Sequence, residues 1–317
     1  MMTYHQLRTF LAVARAGNLT KAARELNTSQ PTVSLQLRAL RRSLGTPLFG
    51  RSESGFRLTP AGEKLRRYAE AVLGGFRILQ QDIAALNGRI AGPLVVGATF
   101  MVNRYVLASA LVRFREQFPD VNFQLHVEFP ERLFHGLLAN TLDVICYMHV
   151  RTPPGITVEP VGEEELVIVA SPEHPLAGRR LVSPRELSDQ PFVAPIGSPL
   201  REMIETKLRG AGVTLRVAAE GGHHDAIKKL VEHDVGYSML IRASVAEELA
   251  SGRLVALRLD GPPILSEIVV AYRAQTAVPP LVHEFIRFVR AELSRARPGI
   301  RPGRPSRQKR PRRRPRA

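Results

Sequence analysis

Between Leu65 and Leu86 the apolar residues Leu65, Ala69, Val72, Phe76, Leu79, Ile83 and Leu86 follow one another at alternating steps of four and three. A seam held for three heptads commits that stretch to one helix with a stripe suited to a coiled coil. At 1.5 Å per residue, roughly thirty residues make a rod of about 45 Å. Thr59-Pro60 starts it, threonine as N-cap and proline at the first helical position, and Gly92-Pro93 ends it. Gly74-Gly75 lies inside, at about 1 kcal/mol per glycine relative to alanine, so the rod needs a partner or bends there. No neighbouring helical segment is long enough to cover the stripe. That favours self-association through Leu65, Ala69, Val72, Phe76, Leu79 and Ile83 over an internal core face.

The two sides of the rod differ in pattern and charge. Before it, Leu7, Phe10, Leu11 and Ala14 mark one face of a helix over 4–16 that Gly17 closes. Ala22, Ala23 and Leu26 mark a short helix over 20–26, and Val33, Leu37, Leu40 and Leu44 a third, opened by Gln30-Pro31 and closed by Gly45. Residues 51–58 are polar and contain glycine, a small β-wing. Residues 1–70 carry 12 basic and 4 acidic side chains, 71–296 carry 23 and 25, and 297–317 carry 10 and none, the make-up of a net charge of +16. Both ends suit a polyanion; the middle is close to neutral. The Arg/Pro/Gly tail is expected to be disordered, with nonspecific DNA contact its leading use.

After the rod, strands over 94–97, 122–127, 142–147, 166–170, 192–194, 214–219, 235–239 and 264–272 alternate with helices, the pattern of parallel α/β domains. A Pro/Glu-rich break at 159–165 predicts two lobes, and Ser183-Pro-Arg-Glu186 and Ser244-Val-Ala-Glu247 have capping-box spacing. The single Cys146, in an apolar run, excludes a disulfide framework and reads as a core thiol. No run approaches the ~18 apolar residues of a membrane span, so no membrane partner and a cytoplasmic location are expected. Gly-x-Ser-x-Gly, a phosphate loop and a catalytic carboxylate pair are all missing; neither catalysis nor a cofactor is expected. His223-His224-Asp225 lacks a third convergent ligand and adjacent histidines diverge, so no metal site is expected either.

A short helix, a turn and a second helix entered through Ser29-Gln-Pro-Thr32 form a helix-turn-helix, which sets the start of its second helix in the DNA major groove. Thr28, Ser29, Gln30, Pro31, Thr32, Ser34, Leu35 and Gln36 stand at or near that start, and glutamine can pair with adenine. Arg38 and Arg51, with Arg41, Arg42 and Arg57, can reach phosphates, and a wing arginine the minor groove. A helical protein-interaction module with a solvated polar face is the competing reading.

Asn18-Leu-Thr-Lys-Ala-Ala-Arg-Glu-Leu26, Ser29-Gln-Pro-Thr-Val-Ser-Leu-Gln-Leu37, Leu44-Gly-Thr-Pro-Leu-Phe-Gly-Arg51 and Leu58-Thr-Pro-Ala-Gly62, in that order, resemble the N-terminal signature of LysR-type transcriptional regulators. The likeness is close over the first 62 residues and one of layout to about residue 295. It implies a winged helix-turn-helix over 1–58 and a linker and dimerisation helix over 59–90. A two-lobed α/β effector domain of the type 2 periplasmic-binding-protein kind follows, lobe I over 91–163 and 267–296 and lobe II over 164–266, then the tail over 297–317. The implied molecule is a homo-oligomer, a dimer or dimer of dimers, on a dyad-symmetric double-stranded operator. A small-molecule effector sits in its interlobe cleft, and RNA polymerase is a further partner.

Parallel α/β sheets bind ligands beyond the carboxyl ends of their strands. By position in the resembling motifs, the effector residues are Ala98, Thr99, Phe100, Met101, Pro130, Ser198, Arg201 and His223. Helix starts favour a small anion. Met101, Pro130 and His223, however, stand where hydroxyl residues are common in the family, which points to a less polar effector or one read by histidine. A DNA-anchored solute-binding or structural protein with no effector response is the alternative.

Overall fold

The computed structural model describes residues 2–52, 55–196, 199–274 and 278–296. Three helices make the head, α1 (Tyr4–Ala16), α2 (Leu19–Glu25) and α3 (Gln30–Leu44), followed by β1 (Phe49–Ser52) paired antiparallel with β2 (Gly55–Leu58). Each helix starts on a side chain that accepts a free first-turn amide: Thr3 in a reciprocal box with Gln6, Asn18 from Thr20 and Lys21, Ser29 from Thr32. Gly17 and Gly45 end α1 and α3 in the left-handed region, at φ 62° and 66°. Buried Phe10, Leu40, Leu48 and Leu65 join α1, α3 and the root of the wing to the rod. Each such side chain stabilises the head by about 1.5–3 kcal/mol.

The rod is α4 (Pro60–Leu86), 27 residues long, and the Thr59 hydroxyl accepts from the Gly62 amide at 3.0 Å to cap it. Its seam does not serve one purpose throughout. Leu65 and Ala69, expected on the self-association stripe, are instead buried against α1 in the same chain, because the head needs the first turns of the rod to close its core. The exposed stripe begins at Val72, continues through Phe76, Leu79, Ile83 and Leu86, and is joined by Tyr68.

At Gly74-Gly75 the helix runs on without a break. Gly74 presses on the body instead: a Cβ added there would lie 2.2 Å from the Asn140 carbonyl oxygen. On the same face Arg77 donates to Asn140 O at 2.7 Å and to Asp143 Oδ1 at 3.1 Å, and buried Gln81 donates to Pro93 O at 2.6 Å. The covering that the glycines require is therefore supplied, on this face, by the same chain.

The body contains β3 (Gly92–Ala98), α5 (Phe100–Val102), a π-helical turn (Asn103–Leu107), α6 (Ala108–Gln117), β4 (Val121–Val127), α7 (Pro130–Leu138) and β5 (Val144–Met148). Then come β6 (Ile156–Ala170), α8 (Pro184–Ser188), β7 (Pro191–Pro195), α9 (Pro199–Gly210), β8 (Arg216–Gly221), α10 (His224–Glu232) and β9 (Ser238–Ile241). Last are α11 (Ala246–Ala250), β10 (Val255–Leu257), β11 (Ile264–Arg273) and α12 (Pro280–Ala296). The large sheet runs β10-β6-β11-β5-β3-β4, with β9 also on β6, and β7-β8 stand apart. Among the described strands β3–β4, β3–β5 and β7–β8 pair in parallel and every pairing of β6 and β11 is antiparallel, so the large sheet is mixed rather than parallel.

The predicted break at 159–165 lies inside β6, a 15-residue strand that pairs with β11 and carries the chain from one lobe to the other. The β6–β11 ladder shifts register in mid-strand: Ile268 pairs with Gly162 and Val269 with Pro160, leaving Val161 as the extra residue of a bulge. Acidic side chains do not interrupt this strand because partners from distant segments meet them. Glu159 accepts from Tyr272 and Arg290, and Glu165 from Arg242. The capping box at Ser183 and Glu186 forms. The one at Ser244 does not, since Ser244 ends a one-turn 3-10 helix and donates to Ile241 O at 2.7 Å, while α11 starts only at Ala246.

Candidate DNA-reading head and interlobe cleft

Thr28, Gln30 and Pro31 are exposed at the start of α3, as are Arg38, Arg41 and Arg42 further along and Arg57 on the wing. Pro31, Leu35 and Arg38 share one outward face at helical spacing. Ser29 and Thr32 are tied to the cap and to each other, with their hydroxyls 2.8 Å apart. Half-buried Gln36 accepts from the Thr9 hydroxyl, so its oxygen anchors α3 to α1 and its amide alone is left to donate outward. Ser34 is half-buried, and its carbonyl accepts from Arg38. Arg51 stands opposite Phe56 in the wing, its side chain outside the described residues.

In the body, Ala98 pairs with Val127 and with Cys146 in the parallel ladders, which sets the turn after β3 beside the turn after β4. Thr99 N–H donates to Cys146 O at 3.2 Å and Glu128 N–H to Ala98 O at 3.1 Å. Facing them is the loop between β8 and α10. There the Phe100 and His223 rings meet edge to face, centroids 5.2 Å apart. The structure thus brings Thr99, Phe100 and His223 together.

Other expected ligand residues lie elsewhere. Ala98 and Met101 are buried in the main core, Met101 because it points inward where its helical neighbour Phe100 points out. Pro130 is buried as the first residue of α7. Arg201 donates to Glu205 at 2.7 Å and to Glu220, ion pairs that hold α9 to β8. Ser198 lies outside the described residues. His223 and His224 diverge: the former is exposed, whereas both ring nitrogens of the latter are out of solvent without a hydrogen-bond partner. The side-chain oxygen of Asn103 is likewise buried and unpartnered. Asn103 lies one helical turn beyond Phe100, and that spacing was the available sequence signal for it.

Burial pushes the Cys146 thiol up to about 12, so it is an inert core group. The His224 imidazole is pushed down to about 4, chiefly by burial, with the His223 and Lys228 charges adding to it and Asp225 opposing. Its folded-state pKa thus lies below the ordinary 6.5, and the native chain binds fewer protons here than the unfolded one. The resulting stabilisation is present above pH 6.5 and is lost as pH falls from there toward about 4, on the order of 3 kcal/mol in full. Thermal melts between pH 7 and pH 4.5 should fall more steeply for the wild type than for His224→Phe; parallel slopes would contradict this.

Residues 4–63 match the model of the bacterial regulatory helix-turn-helix protein, lysR family, and residues 87–294 match that of the LysR substrate binding domain. The chain belongs to the LysR family. This LysR regulator is 31% identical over 298 residues to the RuBisCO operon transcriptional regulator of Allochromatium vinosum, covering 93% of this chain and 97% of the relative. It is 30% identical over 291 residues to the transcriptional activator CmpR of Synechocystis, covering 90% and 94%.

Full-length CbnR, solved in complex with its target DNA, superposes with a TM-score of 0.66 at 25% identity over 92% of this chain and 100% of that one. A full-length OxyR variant from Pseudomonas aeruginosa shares the fold at a TM-score of 0.71 and 23% identity, over 93% and 95%. The LysR chain is therefore a transcriptional regulator with a DNA-binding helix-turn-helix and an effector-binding body. Among the described residues no helix is long and apolar enough to cross a membrane.

Proposed function

We propose that two copies of this LysR regulator join along Val72, Phe76, Leu79 and Ile83, so that paired α3 helices read a dyad-symmetric operator. Gln30, Thr28 and Ser34 read base edges, and Arg38, Arg41, Arg42, Arg51 and Arg57 hold phosphates. A small molecule at Thr99, Phe100 and His223 shifts the balance between arrangements that differ in DNA contact or bending; it must bind one of them better, since equal affinity shifts nothing. The protein works in the cytoplasm, carries out no chemistry on its ligand, and meets RNA polymerase at the promoter. Head, rod and lobes are assigned as 1–58, 59–90, 91–163 with 267–296, and 164–266.

The observation that carries this reading is the exposed start of α3 on a chain in which Phe100 after β3 meets His223 before α10 edge to face. Footprinting on the upstream DNA of its own gene, with and without candidate metabolites, tests it. A protected dyad whose pattern changes with one metabolite is expected. Absence of any protected dyad overturns the proposal. A footprint unmoved by a metabolite shown to bind favours the effector-independent alternative.

A further inference from the structure

Residues 297–317 hold ten basic side chains and no acidic one, a density of charge for which the head, rod and body described above have no use. Ile300 is the one large apolar residue among them. A segment so composed has neither an apolar anchor nor an internal counter-charge, so the partner it fits is a polyanion. Six of its arginines, Arg301, Arg304, Arg307, Arg310, Arg313 and Arg316, recur at every third position. Three residues span at most about 10 Å, and phosphates follow one another every ~3.4 Å along a DNA strand, so each arginine has a phosphate of its own within reach.

The tail lies outside the described residues, but its root does not. α12 packs against the rod, and its last turns are fixed to the body: Leu293 Cδ1 lies 3.2 Å from a Cβ built at Gly162, and Arg290 donates to Glu159 at 2.8 Å. The acids of the root are already answered, Glu292 by Arg113 and Arg295, Glu159 by Tyr272 and Arg290. To settle on them the tail would have to displace those pairs. Duplex DNA, by contrast, is brought to it by the head. The rod passes from the head core at Leu65 to the body at Gly74 in nine residues, about 14 Å, and α12, with 17 residues, is about 25 Å long. The tail extends up to about 70 Å, more than both lengths together.

We infer that residues 297–317 act as a second DNA-binding element, which holds phosphates of the duplex flanking the head without reading its sequence. This needs only the DNA binding of the family and is independent of the cleft and its ligand. Tethered to a chain whose head is already seated, the tail meets the same duplex at high effective concentration and adds affinity alike on every sequence.

The test is the salt dependence of binding by the full-length protein. Wild type is compared with the sixfold variant Arg301→Gln, Arg304→Gln, Arg307→Gln, Arg310→Gln, Arg313→Gln and Arg316→Gln. The probes are the upstream DNA of its own gene, an unrelated duplex of the same length and single-stranded poly-uridine RNA. The contacts given above are untouched by the substitutions, and melts of the two proteins should coincide. Each phosphate contact adds about 0.9 to the steepness of log affinity against log salt, so the glutamine variant should be shallower by about 3–5. Its affinity near 0.1 M salt should fall on the order of 10²-fold or more, equally on both duplexes. Lysine at the same six positions should keep the wild-type slope, because neutralising a phosphate takes the charge rather than the guanidinium fork. An unchanged slope in the glutamine variant overturns the inference, as does a loss confined to the upstream DNA. A lysine variant as weak as the glutamine one overturns the charge-only contact. Tighter duplex binding by the glutamine variant would mean that the tail covers the head or body instead. Wild-type RNA binding that exceeds duplex binding and is lost in the variant would make RNA the ligand, and either result overturns the assignment to DNA. The unrelated duplex keeps these outcomes separate from whether a dyad operator is found.

Discussion

Val72→Asp combined with Leu79→Asp is expected to turn the oligomer into monomers and to lower operator affinity by a factor on the order of 10² to 10⁴. The two side chains are seven residues apart, the same position in successive heptads, and are 36% and 50% exposed in the single chain. An aspartate at either position sits comfortably in water while the chain is alone. Pairing two rods would bury four carboxylates with no cation on the stripe to meet them, and unpaired buried charge costs several kcal/mol each. The head should keep its own stability, because the residues that bind it to the rod, Leu65 and Ala69, are untouched. One arm on one half-site then loses the effective concentration that the tether supplied, without any change in its base contacts. Sedimentation velocity decides the first claim: a double variant that still sediments as the wild-type oligomer would mean that the stripe is not the interface.

Where a structural signal is local, the sequence carried it. Thr59-Pro60, Ser29, Gly17 and Gly45 act within one helical turn of themselves, and each sits where its chemistry requires. The rod was equally readable as a helix, but what covers each part of it was not. A heptad seam looks the same whether α1 or a second copy packs on it, and Leu65 differs from Leu79 only through the distant Phe10 and Leu40. The interlobe strand failed for the same reason: a run of Glu163, Glu164 and Glu165 reads as a break until Arg242, more than seventy positions away, is seen to answer one of its acids. Ser244 shows the converse limit, since capping-box spacing specifies a hydrogen bond only if the intervening residues are already helical. Phe100 and His223 were legible as loop residues, whereas the burial of Asn103 Oδ1 and of the His224 ring nitrogens exists only in the folded chain.

Gly74 and Gly75 are adjacent and chemically identical, yet substitutions there are expected to act in opposite directions. Gly75 faces open space, with nothing within 4 Å of a built Cβ, so Gly75→Ala gains helix propensity and stabilises by up to about 1 kcal/mol. At Gly74 the same Cβ would stand 2.2 Å from Asn140 O and 2.6 Å from Asn140 Cβ, both far inside contact distance, and neither is the end of a flexible side chain. Asn140 has little freedom to retreat: its backbone is left-handed at φ 57°, its carbonyl accepts from Arg77, and its side chain accepts from Arg273 at 2.9 Å. Gly74→Val should therefore push the rod off lobe I and cost about 3 kcal/mol or more, breaking the Arg77–Asp143 and Gln81–Pro93 contacts with it. Because Gly74 lies half a turn from the exposed stripe, the oligomer should persist while the melting midpoint falls by roughly 6–12 °C. Paired melts of the two variants check the sign of each. Equal shifts would mean that the rod is not latched to lobe I at Asn140, and that movement of that lobe reaches the DNA-binding head by another route.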